Sequence, residues 1–298
     1  MALSDLRNQN LMNLIKRMHS LIEEPDIEKQ RQTQELIASI NKSPKDVIIT
    51  EVSLSGMYGE WIRPARPHAK NRVILYCHGG GYMTGSCSYA RSITTKLATS
   101  ASLDVFCYNY RLAPEFPYPA ATEDAMDAWN YLMMLGYGAK DVIVAGDSAG
   151  GNLALSLSLK LKSECRFLPG GLLLFSPWTD LTASGKSHET KISVDPILSP
   201  DYLATVTRAY ADGEDLTDPL ISPLFGDYTD FPPVFIQVGT NEILYSDSNQ
   251  LHKKMLSANA PVRMEAFRGM WHVFQMSPFK TAYEAIDLGA DFILNIYK

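Results

Sequence analysis

Cysteine is scarce in this chain. Its 298 residues include four, Cys77, Cys87, Cys107 and Cys165, widely dispersed. Such spacing excludes a disulfide framework or a zinc site. It reads as buried free thiols in a reducing compartment, so a cytoplasmic setting is expected. Long hydrophobic runs are missing too. No apolar stretch reaches transmembrane length, and no membrane insertion is expected. Met1-Ala2-Leu3-Ser4-Asp5 has no basic region leading into an apolar run, so no secretion signal is expected. Positive charge is outnumbered, with 27 Lys and Arg against 33 Asp and Glu and a net charge of −6. That balance argues against nucleic acid or an anionic membrane as partner. Repeats, low-complexity tracts and interdomain linkers are also absent.

What is present is the composition of an ordinary globular protein, 46% hydrophobic and 20% charged. The length suits a single α/β domain spanning 1–298, with no need for a second. Helical spacing of Leu11, Leu14, Ile15, Met18, Leu21 and Ile22 predicts a helix ended by Pro25. A second is expected over Ile27 to Ile40. Strands are predicted at about Val47–Leu54 and Gly59–Arg63, with a turn over residues 55–58. Strand and helix then alternate: Val73–Cys77, a helix near Ser92–Ser100, Val105–Asn109, and a helix near Ala120–Leu135. This pattern predicts a mainly parallel central sheet with helices on both faces. A final amphipathic helix carries Ala282, Ala285, Ile286, Gly289, Phe292, Ile293 and Ile296.

The most informative stretch is Gly146-Asp147-Ser148-Ala149-Gly150-Gly151. It follows the apolar run Val142 to Ala145 and opens a second apolar segment, Asn152 to Leu161. Strand, sharp turn and helix thus meet at a serine with glycine two residues away on either side. A turn that tight lifts the hydroxyl above the sheet edge and aims the following helix N-terminus at whatever the oxygen attacks. This nucleophile-elbow pattern predicts a hydrolase with Ser148 as nucleophile. A second glycine cluster, His78-Gly79-Gly80-Gly81-Tyr82, follows the strand Val73 to Cys77. Bare backbone N–H groups there suit close approach to a developing oxyanion. A dinucleotide phosphate loop is the competing reading, but Thr84 stands where its third glycine belongs.

The serine needs a base, and the base an orienting acid. Of six histidines, His19, His68, His78, His188 and His252 read as solvated or structural. His272 follows the strand-like run Val262 to Phe267 and the breaker Gly269, and it precedes the last helix. A loop there delivers an imidazole to the carboxyl edge of the sheet. Three carboxylates compete for the acid. Glu242, just past the strand Val234 to Val238, ranks first. Asp247 ranks second and reads better as part of the first turn of the next helix. Asp180, after the strand Leu172 to Phe175, ranks third.

With Tyr110-Arg111-Leu112-Ala113-Pro114-Glu115, Pro119-Ala120-Ala121, Asp124 and Gly269-Met270 added to these motifs, the chain resembles the hormone-sensitive-lipase-like family of α/β-hydrolase esterases. The resemblance runs from about Val73 to the C-terminus. It implies the α/β-hydrolase fold, Ser148 as nucleophile and His272 as base. It implies oxyanion donors at Gly80, Gly81 and Ala149, with Gly79 a weaker candidate. The acid position reads Gly239-Thr240-Asn241-Glu242, with Glu where many relatives have Asp.

Two segments stand outside the alternation, about 1–45 and about 183–215. The second holds Ser199-Pro200 as a helix start and an apolar stripe of Tyr202, Leu203, Val206 and Tyr210. Together they are expected to form a helical cap over Ser148, and the competing role is a homo-oligomer interface. Tyr82, Trp178 and Tyr202 are candidates for the substrate pocket. The expected reaction is hydrolysis of a small-molecule ester with a short acyl group, through an acyl-serine, without metal or organic cofactor. Two rival readings are deacetylation or amide hydrolysis at the same site, and hormone binding as in the plant gibberellin receptors. The receptors lack the catalytic histidine, whereas His272 is present here.

Overall fold

A computed structural model describes Lys16 and residues 26–40, 44–54 and 56–298. Of the expected helix over Leu11 to Ile22, Lys16 alone is among the described residues, and the rest lies outside them. Those residues contain eight strands in one sheet, ordered β1-β2-β4-β3-β5-β6-β7-β8. The edge strand β1 (Val47–Leu54) pairs antiparallel with β2 (Met57–Pro64), and β2 also runs antiparallel to β4 (Asp104–Tyr108). From β4 onward, β3 (Val73–Cys77), β5 (Val142–Asp147), β6 (Gly171–Phe175), β7 (Val234–Gly239) and β8 (Val262–Phe267) are all parallel.

The five strands β3 to β7 are buried along their whole length. Such strands read as continuous apolar runs because both faces are covered. Alternate side chains feed two cores. Val73, Leu75, Val142 and Val144 face one core, shared with helices α3 (Ala120–Met134) and α4 (Ala149–Ser163). Ile74, Tyr76, Ile143 and Ala145 face the other, shared with α2 (Cys87–Ala101) and α8 (Lys280–Ile296).

Three local expectations are corrected. The helix predicted near Ser92 begins five residues earlier, at Cys87, because the Ser86 hydroxyl accepts the Tyr89 N–H at 3.2 Å and caps it. The turn before β2 is tighter than expected: Leu54 pairs with Met57, and Gly56 takes φ 88°. Cys77, Cys87 and Cys107 are buried free thiols, but Cys165 is exposed. It sits just past α4 at φ 53°, where the chain leaves the helix at the surface.

The remaining elements gather over the carboxyl ends of the strands. They are α1 (Ile27–Ile40), α5 (Ser187–Thr190) and α6 (Pro200–Ala211), while α7 (Tyr245–Ser257) links β7 to β8. Helix α6 starts as predicted, with Ser199 accepting the Tyr202 N–H at 3.1 Å and Pro200 in its first turn. Arg31 fastens α1 to the loop below. Its Nε donates to Met83 O at 2.7 Å, its Nη2 to Ala113 O at 2.8 Å, and its Nη1 to Glu115 at 2.8 Å. No described helix is long and apolar enough to cross a membrane.

Candidate active site

Ser148 occupies a strained turn between β5 and α4, at φ 55° and ψ −121°. Such a conformation persists only where the surroundings over-determine it. Here the packing is close: a Cβ on Gly146 would lie 2.3 Å from Gly150 O, and one on Gly150 would lie 2.1 Å from Cys77 O. The flanking glycines are therefore required by contact. The Ser148 N–H donates to Phe175 O at 2.9 Å, which ties the turn to the end of β6.

His272 sits in the loop after β8, and Val273 beside it adopts φ 50°. Its Nε2 lies 2.9 Å from Ser148 Oγ, and its Nδ1 lies 2.9 Å from Glu242 Oε2. The other Glu242 oxygen accepts from the Gly239 N–H at 2.8 Å and from Ser176 Oγ at 3.0 Å. Hydroxyl, imidazole and carboxylate form one continuous hydrogen-bonded chain, drawn from residues 148, 242 and 272.

The two rival acids lie elsewhere. Asp247 is in the first turn of α7, as expected, but it is buried and faces inward. Its Oδ2 accepts the Thr179 and Asp180 N–H groups at 3.0 Å each, and its Oδ1 pairs with His188 Nε2 at 2.8 Å. Asp180 accepts from Thr182 and Ser184 within its own loop.

The glycine loop lies over the elbow. Gly80, at φ 117°, folds back so closely that a Cβ would meet Thr84 O at 2.2 Å. Gly79 is corrected as an oxyanion candidate, since its N–H donates to Asp147 Oδ1 at 3.0 Å. The same oxygen accepts from Tyr76 OH at 2.7 Å. No hydrogen bond with a described residue engages the N–H groups of Gly80, Gly81 or Ala149. A cavity of about 80 Å³ opens onto Ser148 and His272, and Trp178, Ile197, Leu198, Tyr202 and Leu203 line it. Gln30 and Gln34 of α1 complete the wall. Tyr82 does not line it. Its ring turns into the core, stacks on Tyr210 at 3.7 Å, and its hydroxyl donates to Asn152 at 2.8 Å.

Two supporting residues escaped sequence reasoning. Ser176, at φ 46°, donates to Glu242 and accepts the Val273 N–H at 3.2 Å, so it joins the acid and histidine loops. Asn152 accepts from Tyr82 and donates to Trp178 O and Ile221 O at 2.8 and 2.9 Å. Each is an ordinary polar residue in sequence, and its role comes from partners distant along the chain. Only the position of Ser176 at the carboxyl end of a strand offered a hint.

A family model described as the alpha/beta hydrolase fold matches residues 74–276. This chain belongs to that α/β-hydrolase family. An esterase of Acinetobacter venetianus is 38% identical over 231 residues, covering 77% of this chain and 76% of the relative. An acetyl-hydrolase of Streptomyces hygroscopicus is 37% identical over 243 residues, covering 82% and 79%. The crystal structure of an esterase from the bacterial hormone-sensitive lipase family superposes with a TM-score of 0.92 at 29% identity, over 98% of both chains. A hormone-sensitive lipase from a metagenome library gives 0.91 at 34% identity, over 97% of this chain and 98% of the other.

The electrostatics of this α/β-hydrolase follow from burial. Burial pulls His272 down, but the hydrogen bond and charge of Glu242 oppose it, with Asp195 and Asp147 adding to the effect. The net result lies above the ordinary histidine value. Burial also lifts Asp147 to about 6, against the bonds from Tyr76 and Gly79 that lower it. His78 behaves in the opposite way. Its Nδ1 donates to Gly79 O at 2.8 Å and its ring stacks on Tyr110, and burial pushes it down to about 4. It is a neutral structural histidine under the glycine loop.

Proposed function

We propose that this α/β-hydrolase cleaves small esters of short acyl groups through an acyl-serine, with Ser148, His272 and Glu242 as its catalytic triad. The continuous hydrogen-bonded chain from Ser148 through His272 to Glu242 carries this reading. His272 Nε2 takes the hydroxyl proton as Ser148 Oγ attacks the ester carbonyl. Glu242 holds the Nδ1 proton in place and stabilises the imidazolium that forms. The N–H groups of Gly80, Gly81 and Ala149 receive the oxyanion. His272 then protonates the leaving alcohol, and water repeats the cycle on the acyl-serine.

The cavity supports a small acyl group. At about 80 Å³ it is far below the ~300 Å³ at which sites for drug-sized ligands begin. The name of the Streptomyces relative, acetyl-hydrolase, points the same way. Acyl groups of about two to six carbons are expected, with the shortest preferred. Helix α1 and the 183–215 segment serve as the cap, since Gln30, Gln34, Ile197, Leu198, Tyr202 and Leu203 all reach the cavity. Three buried free thiols support a reducing, cytoplasmic setting. The test is covalent labelling. An organophosphate should add to Ser148 alone, and Ser148→Ala should abolish turnover while the melting temperature stays nearly unchanged. An adduct on any other residue refutes the mechanism.

A further inference from the structure

Asp195 is an acid that the triad does not use. It lies between α5 and α6 and is 3% exposed. Its Oδ1 accepts the Ile197 and Leu198 N–H groups at 2.8 and 2.9 Å, and its Oδ2 accepts the Ile243 N–H at 2.7 Å. Ile197 and Leu198 form part of the cavity wall, and Ile243 is the residue after Glu242. One buried carboxylate therefore touches the cap side and the acid loop together.

The backbone of the acid loop shows why this contact matters. Thr240 N–H donates to Phe267 O at 3.1 Å and Asn241 N–H to Met270 O at 2.9 Å, which fix the loop before Glu242. The Glu242 side chain is held by Gly239 and Ser176, again from that side. Beyond Glu242, the next N–H is that of Ile243, and it reaches across to Asp195. A hydrogen bond to a charged acceptor is roughly twice as strong as a neutral one. Removing it frees the loop just where the carboxylate must meet the imidazole.

We propose that Asp195 is a positioning residue that holds Glu242 in register with His272 and couples that register to closure of the cavity wall. The inference rests on the triad reading above. Asp195→Asn is the informative variant, because its size is unchanged. Its carbonyl can still accept from Ile197 and Leu198, but its amide N–H₂ then opposes the Ile243 N–H. With active sites counted by organophosphate labelling, kcat should fall about 10- to 100-fold, as expected for a small misplacement of a catalytic group. KM should change by less than about threefold. The charged groups acting on His272 are Glu242 after β7, Asp147 at the end of β5, and Asp195. Loss of the Asp195 charge should move the acid limb of kcat/KM to lower pH.

A raised KM with kcat and the acid limb unchanged would mean that Asp195 serves the cavity wall alone, and would overturn the proposal. Wild-type kinetics in Asp195→Asn would overturn it as well, while an inactive Ser148→Ala in the same assay keeps the triad intact. Turnover by Ser148→Ala would instead bring down the triad reading itself. Should Asp195→Asn fail to fold, hydrogen exchange in the unaltered enzyme decides. The Ile243, Ile197 and Leu198 amides should open together at one rate, and an Ile243 amide that exchanges far faster than the other two refutes the coupling.

Discussion

Replacing Glu242 by Gln tests the proposed site most severely. The carboxylate accepts from Gly239 and Ser176 on Oε1, and from His272 on Oε2. An amide can keep the first two bonds with its oxygen. Its N–H₂ then faces His272 Nδ1 at about the 2.9 Å of the present contact. Two donors cannot share that line, so the imidazole must turn its lone pair to Nδ1 and carry its proton on Nε2. The nitrogen facing Ser148 then has no room for the hydroxyl proton. Loss of the orienting acid in a serine triad costs about 10⁴-fold in kcat. That corresponds to about 5.4 kcal/mol in the barrier, at 1.36 kcal/mol for each factor of ten. KM should stay nearly unchanged, since Glu242 does not line the cavity. Steady-state kinetics on a short-chain ester, with circular dichroism to verify folding, would measure both. A variant that keeps more than about a tenth of kcat refutes the argument. So would a larger loss in Asp180→Asn or Asp247→Asn.

As the proposed base, His272 must be neutral to accept a proton, and its value is raised above the ordinary 6.5, so kcat/KM should rise with pH with a midpoint above 6.5. A profile flat from about pH 5 to 8 would refute a histidine base. Asp247→Asn weakens a buried carboxylate with three partners, so it should cost about 1–3 kcal/mol in denaturant unfolding and leave kcat nearly intact. Gly80→Ala must displace the loop, because the added Cβ would meet Thr84 O at 2.2 Å. A loss in kcat of about 10² or more is expected from the disturbed donors of the proposed oxyanion hole. Arg31→Met removes four hydrogen bonds, to Met83, Ala113 and Glu115, between α1 and the loops beneath it. It should raise KM about threefold or more while the α/β core keeps its circular dichroism spectrum.

The elbow, the alternation of strands and helices and the candidate base were all legible in the chain itself. Each rests on short-range physics. Gly146 is demanded by Gly150 O four residues on, within the same turn, and the apolar runs of β3 to β7 announce strands buried on both faces. Tertiary structure decided what depends on side chains meeting across loops. It brought Glu242 to His272 and sent Asp247 to His188, although both acids follow the same strand. It gave the Gly79 N–H to Asp147, and it turned Tyr82 into the core. It made Ser176 and Asp195 partners of a loop that the chain order places far from both. A hydrogen bond needs its atoms within about 3 Å and well aligned, and no local pattern of residue types encodes that distance between separate loops.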